Sequence, residues 1–304
     1  MSLAVIWHES YDVDIGPHVF PTRKYRLVRD RLVGEGLVRG EDIERPEPAT
    51  TAQLARVHTA GYLRKIETND FTLDELVRLE LPFTSALRQA SLLAVGGTIL
   101  AGRRALEHGV ALHLGGGFHH AFPDHGEGFC LLNDVVVAIR VLQADGAIER
   151  AAVVDCDVHH GNGTARTFEG DPHVFTFSIH QELNYPFFKP RSNIDVGLEN
   201  GVGDREYLWH IEEHLPTVLA HRPGLVVYLA GADPYEWDQL GGLRLTTGGL
   251  RRRDRLVFEH CHAAGVPVAV VLAGGYALNQ NDTVEIHCNT ARAAQAVFSG
   301  KLVR

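Results

Sequence analysis

Short, predominantly apolar runs recur along this chain with amphipathic stretches between them, and that alternation constrains the fold more than any other feature. The runs cover residues 3–7, 110–114, 151–154, 174–179, 225–230 and 266–272. A strand with one wet face alternates apolar and polar residues, whereas a strand covered on both faces reads as a continuous apolar run. Helices are predicted over 87–106, 133–143, 204–220 and 250–264, the second with Asn133 or Asp134 as its cap. The expected fold class is therefore α/β, a parallel sheet with helices on both faces. No repeat, low-complexity tract or linker interrupts the 304 residues, so residues 1–304 are expected to form a single domain. Residues 181–203 lack any period and read as a long loop, which in a compact fold is often functional.

Composition excludes several classes of function. The formal net charge of −9 argues against a broad basic face, so no direct nucleic-acid binding is expected. No apolar stretch approaches the roughly 18 residues of a membrane span. Residues 1–8 have no basic leader and read as a first strand, not a signal peptide. Cys130, Cys156, Cys261 and Cys288 include no C-x-x-C pair, and a reduced, cytoplasmic setting is the simpler expectation.

The residues that carry chemistry follow the apolar runs, where open α/β sheets place their sites. After 151–154 comes Asp155-Cys156-Asp157-Val158-His159-His160-Gly161-Asn162-Gly163. Side chains two apart on an extended segment share a face, so Asp155, Asp157 and His159 can converge on a divalent ion. The plainer reading is a solvated strand end. After 110–114 comes Gly115-Gly116-Gly117-Phe118-His119-His120-Ala121, a histidine pair behind a glycine turn. Asp233 follows 225–230 and can complete an Asp–His–Asp set that leaves positions open for water and substrate. Tyr276 follows 266–272 behind Gly274 and Gly275, either as a hydrogen-bond donor to the site or as a surface turn. Taken alone, Phe129 reads as core packing.

As a set, GGGFHHA, DCDVHHGNG, GADPY and GGY resemble the histone deacetylase superfamily, the zinc-dependent acyl-lysine deacylases, most closely class IV and its bacterial relatives. The resemblance runs from the His18–Pro21 region to Tyr276. It implies the arginase–deacetylase fold, a single α/β domain around a mostly parallel eight-stranded sheet. It implies Zn2+, with Fe2+ as an alternative, on Asp157, His159 and Asp233. His120 would be the general base and acid, His119 its electrostatic partner beside Asp155, and Tyr276 the oxyanion donor. Gly128 and Phe129, with Phe187 or Phe188 opposite, Leu240 at the rim, and Gly274 and Gly275 would form the substrate tunnel. Asp155, Asp157, His159, Ser178 and Ile179 would hold a structural K+. The implied substrate is an acyl-lysine protein or peptide, or a small acylated amine.

Two departures stand out. Asn162 occupies the place where many members orient the general base with Asp, which should lower the pKa of His120. The usual His-Pro pattern is loosened to His18-Val19-Phe20-Pro21, and the basic run Arg23, Lys24, Arg26 after it does not say which cation lines the interior. Other readings are an acetylpolyamine amidohydrolase, which tends to carry Pro-Gly-His-His and an inserted loop absent from this chain, and a non-catalytic acyl-lysine reader, which should lack Tyr276 or a metal ligand. A dinuclear ureohydrolase would need an Asp-rich strand end, and the 233 region offers one well-placed Asp.

Overall fold

The structure, a computed structural model, describes residues 3–299. Met1 and Ser2 of the expected N-terminal strand, and the last five residues of the expected 1–304 domain, lie outside them. The strands are β1 (Ala4–Ile6), β2 (Ile43–Glu44), β3 (Val110–His113), β4 (Ala151–Asp155), β5 (Val174–Gln181), β6 (Ile194–Leu198), β7 (Leu225–Leu229) and β8 (Val268–Val271). The helices are α1 (Lys24–Gly34), α2 (Thr51–Leu54), α3 (Ala60–Thr68), α4 (Leu73–Leu79), α5 (Ser85–His108), α6 (Asp134–Ala144), α7 (Asn162–Phe168), α8 (Asp204–Ala220), α9 (Thr247–Ala263) and α10 (Gln280–Phe298).

One eight-stranded sheet runs in the order β2-β1-β3-β8-β7-β4-β5-β6, with every pairing parallel. The continuous apolar strands are continuous because both faces are covered. Ala111, Val153, Val227 and Val271 pack with Ala101 and Ala105 of α5 and with Val135, Val136, Ile139 and Leu142 of α6. The intervening residues, Leu112, Val154, Val226, Tyr228, Val268 and Val270, share a cluster with Leu250, Val257 and Phe258 of α9 and Val284 and Ile286 of α10. Each apolar side chain moved from water to such a core contributes roughly 1.5–3 kcal/mol.

The site depends on one consequence of this order. Strands β3, β8, β7 and β4 are consecutive neighbours although far apart in the chain. Their C-terminal ends carry the glycine–histidine loop, Gly274–Tyr276, Asp233 and the Asp155–His159 run, so the four motifs meet along one edge.

Two strands were not expected. β2 is two residues at a sheet edge, and β6 lies inside the supposed 181–203 loop. In β6 Ile194, Val196 and Leu198 alternate with Asp195 and Gly197, the pattern of an edge strand with one open face. The four cysteines are buried and unpaired. Among the described residues, no helix is long and apolar enough to cross a membrane.

A buried cation braces the two strand ends that matter most. Arg253 of α9 is fully buried, and its Nη1 donates to Gly231 O at 2.7 Å and Cys156 O at 3.3 Å. Its charge is met by Asp254 Oδ1 at 2.8 Å from Nη2, and Asp254 also accepts from Tyr228 and Thr290. Breaking a buried pair leaves an uncompensated charge and costs about 3–5 kcal/mol. Urea unfolding of Arg253→Leu should show a loss of that size, and Arg253→Leu/Asp254→Leu a smaller one. A single variant within about 1 kcal/mol of the parent would contradict the brace.

Candidate active site

The histidine pair is set by its loop. At the start of α6 the Asp134 carboxylate accepts from the backbone N–H groups of Gly117 (3.0 Å) and Phe118 (2.8 Å), which fixes the turn before His119. His119 Nδ1 then donates to Asp155 Oδ2 at 2.7 Å, and His120 Nδ1 to Asn162 Oδ1 at 2.8 Å. The two Nε2 atoms lie 3.1 Å apart. Burial opposes charge on both rings. For His119 the attraction of Asp155 and Asp157 overcomes it and lifts the pKa to about 9. For His120 burial dominates, His119 and His159 add repulsion, and the pKa falls well below its ordinary value. One ring of the pair is thus built to carry a proton and the other to accept one.

Asp157, His159 and Asp233 offer ligand atoms that all lie within 4.8 Å of one another, and all three residues are buried. Asp157 Oδ1 accepts from the His159 backbone at 2.9 Å, and its Oδ2 from Gly274 N at 2.7 Å. Asp233 Oδ1 accepts from Val158 N at 2.9 Å, whereas Asp233 Oδ2 is buried with no hydrogen-bond partner. The charges of the cluster are equally unfinished. Burial, then repulsion from Asp157, pushes Asp233 up to about 7, while against burial the two carboxylates lift His159 to about 10. A pocket that demands a proton on imidazole and leaves a carboxylate oxygen orphaned fits a divalent cation with an O,N,O donor set. His160, His180 and Asp195 form a second close group, in which His160 Nε2 already bonds Asp195 Oδ1 at 3.1 Å.

Backbone from β8 closes the cluster. A Cβ at Gly274 would run into the carboxylates of Asp233 and Asp157. We expect Gly274→Ala to lower divalent-metal affinity at least tenfold with a cooperative fold retained, as read by chelator competition and thermal unfolding. Unchanged affinity would contradict the close approach.

Tyr276 follows. Its backbone N–H is held by Asp238 Oδ2 at 2.6 Å, and its ring lies 6.1 Å from Phe129 and 6.4 Å from His159. The cavity between these groups holds about 20 Å³, room for one water molecule. Phe129 and Gly128 line it, both at positive φ (67° and 51°). Leu240 is partly buried, and its carbonyl accepts from Asn184 Nδ2 at 2.8 Å, which ties the rim to the loop after β5. Ser178 pairs with Asp155 across β4 and β5, Ile179 is the next residue on β5, and Ser178 Oγ lies 2.9 Å from His180 Nδ1.

Phe187 and Phe188 are not at the tunnel. Both are exposed, and the ring beside the histidines belongs to Tyr185, 5.0 Å from His120 and edge-on at 84°. A side chain at Gly128 would strike that same Tyr185 ring. The loop after β5 turns two residues sooner than expected and leaves the Phe pair outside. Sequence also left the interior cation open. It is Lys24, fully buried, donating from Nζ to Ala273 O at 2.6 Å and lying 5.7 Å from the centre of the Tyr276 ring. Burial pulls its pKa down to about 8. Phe20, stacked 6.0 Å from Phe129, and Asp238 were not singled out either. The histidine two residues before Phe20 and the Asp-Gln-Leu-Gly-Gly turn were their signals.

The same motifs match a family model described as the histone deacetylase domain, over residues 18–291. The chain belongs to the histone deacetylase family. It is 31% identical over 289 residues to histone deacetylase 2 of Arabidopsis thaliana, covering 90% of this chain and 74% of the relative. It is 31% identical over 301 residues to a "probable deacetylase" of Archaeoglobus fulgidus, covering 91% and 82%. An uncharacterized protein of Picosynechococcus sp. is 44% identical over 300 residues, covering 98% of this chain and all of the relative. Among solved structures, the HDA15 HD domain superposes with a TM-score of 0.81 at 27% identity, covering all of this chain and 90% of that one. This histone deacetylase-family hydrolase has the all-parallel, eight-stranded arginase–deacetylase fold.

Proposed function

We propose that this family member hydrolyses the amide of acyl-lysine, removing acetyl or longer acyl groups from lysine side chains in proteins or peptides, with residues 1–304 acting as one catalytic domain. The observation that carries this reading is the meeting, at one narrow cavity, of the Asp157–His159–Asp233 cluster, the differently partnered His119–His120 pair and Tyr276.

Asp157, His159 and Asp233 hold Zn2+, or Fe2+ in its place. Such an ion, when bound, supplies Lewis acidity to water and to the amide carbonyl. His120, buried and neutral, accepts a proton at Nε2 from the attacking water and returns it to the departing lysine amine. His119, charged and held by Asp155, stabilises the negative charge that develops. Tyr276 keeps its phenolic proton, because burial and then the charge of Asp157 hold its pKa well above 10, and donates to the carbonyl oxygen. Gly128, Phe129 and Tyr185 flank the aliphatic stem and exclude bulk water, with Leu240, Gly274 and Gly275 completing the wall. A structural K+ on Asp155, Asp157, His159, Ser178 and Ile179 belongs to the same reading.

The test offers the zinc-loaded protein acetyl-, octanoyl- and myristoyl-lysine peptides and N-acetylputrescine. Release of carboxylate from at least one peptide is expected. Turnover of N-acetylputrescine alone would move the function to the polyamine reading, and no turnover with metal bound would contradict hydrolysis.

A further inference from the structure

The place of a carboxylate beside the general-base histidine is taken by Asn162, and an amide has two faces. Its oxygen accepts and its nitrogen donates, so which end meets His120 decides which tautomer that ring adopts. With the oxygen inward, His120 carries its proton on Nδ1 and Nε2 keeps a lone pair toward the cavity. With the nitrogen inward, the proton moves to Nε2 and the ring cannot act as a base there.

Behind Asn162 stands Glu127. Its Oε1 accepts from Asn162 Nδ2 at 2.6 Å, while Asn162 Oδ1 accepts from His120 Nδ1 at 2.8 Å. Glu127 is itself firmly placed. Its backbone pairs with Cys130 in both directions (3.1 and 2.9 Å), immediately before Gly128 and Phe129. Its other oxygen lies 3.5 Å from His125 Nε2. Although burial works against it, the hydrogen bonds of His125 and Asn162 hold Glu127 below its ordinary pKa, as an ionised, acceptor-only group. An acceptor-only neighbour admits one orientation of the amide.

We propose that Glu127 is a positioning residue for His120: its carboxylate fixes the Asn162 amide with oxygen inward, and so fixes His120 as the Nδ1–H tautomer with Nε2 unprotonated, the end that faces His119 Nε2 at 3.1 Å. This rests on the function proposed above. The chain Glu127–Asn162–His120 acts as a carboxylate–histidine pair with an amide inserted between its members. In this chain the Asn at position 162 is therefore backed by a carboxylate supplied from a different loop.

The experiment is a double-mutant cycle on the zinc-loaded enzyme with an acetyl-lysine peptide. General-base catalysis contributes about 10²–10⁴-fold, so Glu127→Ala should lower kcat roughly 10–100-fold with KM within about twofold. Asn162→Asp should also lower kcat, because it sets two carboxylates against each other. The combined variant should recover to within about threefold of the parent, since Asp accepts from Nδ1–H unaided. Losses that multiply in the combined variant, or a parental kcat in Glu127→Ala, would overturn the proposal. An arm independent of turnover is ¹⁵N NMR of labelled histidines in the same zinc-loaded proteins, with His120→Ala for assignment. His120 should be the Nδ1–H tautomer in the parent and a mixture in Glu127→Ala, and an unchanged tautomer would overturn the proposal. If the parent turned over no peptide, the function would fail while the tautomer measurement still decided the role of Glu127.

Discussion

Replacing Asp233 with asparagine is expected to abolish zinc binding and turnover while making the metal-free protein more stable. The Asn oxygen keeps the hydrogen bond from Val158 N, so the loop geometry survives. What disappears is a charge the metal-free fold accommodates badly, a buried carboxylate with one orphaned oxygen, facing Asp157. Burial and that repulsion raise Asp233 from 3.8 to about 7. Each pKa unit corresponds to about 1.4 kcal/mol, and part of this penalty is shared with Asp157, so a gain of about 1–3 kcal/mol is expected. The sign follows from the raised value. The native state holds this proton more tightly than the unfolded chain, so the cost of ionisation grows as pH rises from about 4 to 7 and is complete above 7. The gain from Asp233→Asn should therefore be seen at pH 8 in chelator-treated protein and vanish below pH 4. Turnover should fall by at least about 10³-fold, since catalysis through this ion is worth several kcal/mol. Stoichiometric zinc in the variant, or kcat within tenfold of the parent, would contradict the role.

Tyr276→Phe should separate chemistry from binding. The ring packs against Phe129 at 6.1 Å and Phe20 at 6.4 Å, and phenylalanine keeps both contacts. The backbone bond to Asp238 is untouched. Thermal stability and zinc affinity should thus match the parent. Loss of one oxyanion donor costs about 10²–10³ in rate, about 3–4 kcal/mol, so kcat should fall by that factor with KM within a few-fold. Because the phenol stays protonated far above neutrality, Tyr276 should contribute no alkaline limb to the pH–rate profile between pH 7 and 9. A variant with more than a tenth of parental kcat would remove Tyr276 from the oxyanion site.

The Asp–His–Asp cluster and the histidine pair were legible in sequence because strand ends announce themselves. A buried parallel strand is a mostly apolar run, and the first polar residues after it sit at the sheet's C-terminal edge. Asp157, His159, Asp233, His119, His120 and Tyr276 all follow such runs, and the structure brings them together. What was hidden lacked that signal. β6 shows only alternate apolar residues because one of its faces is open. Lys24 sits in a basic run that does not say which of its cations turns inward, and only the fold places its ammonium against Ala273 O. Tyr185 could not be chosen over Phe187 and Phe188, because a loop without periodicity does not say which aromatic turns inward. Glu127 carried no signal of its own, since its meaning depends on Asn162, far along the chain and brought within hydrogen-bond distance only by the fold.

The central claim is that Asp157, His159 and Asp233 form a single divalent-metal site beside the histidine pair. Anomalous diffraction at the zinc edge, from crystals grown with one equivalent of zinc and a hydroxamate, tests it most directly. One peak about 2.0–2.2 Å from an oxygen of each aspartate and a nitrogen of His159 is predicted. A peak at His160, His180 and Asp195 instead, or none between the two aspartates, would contradict it.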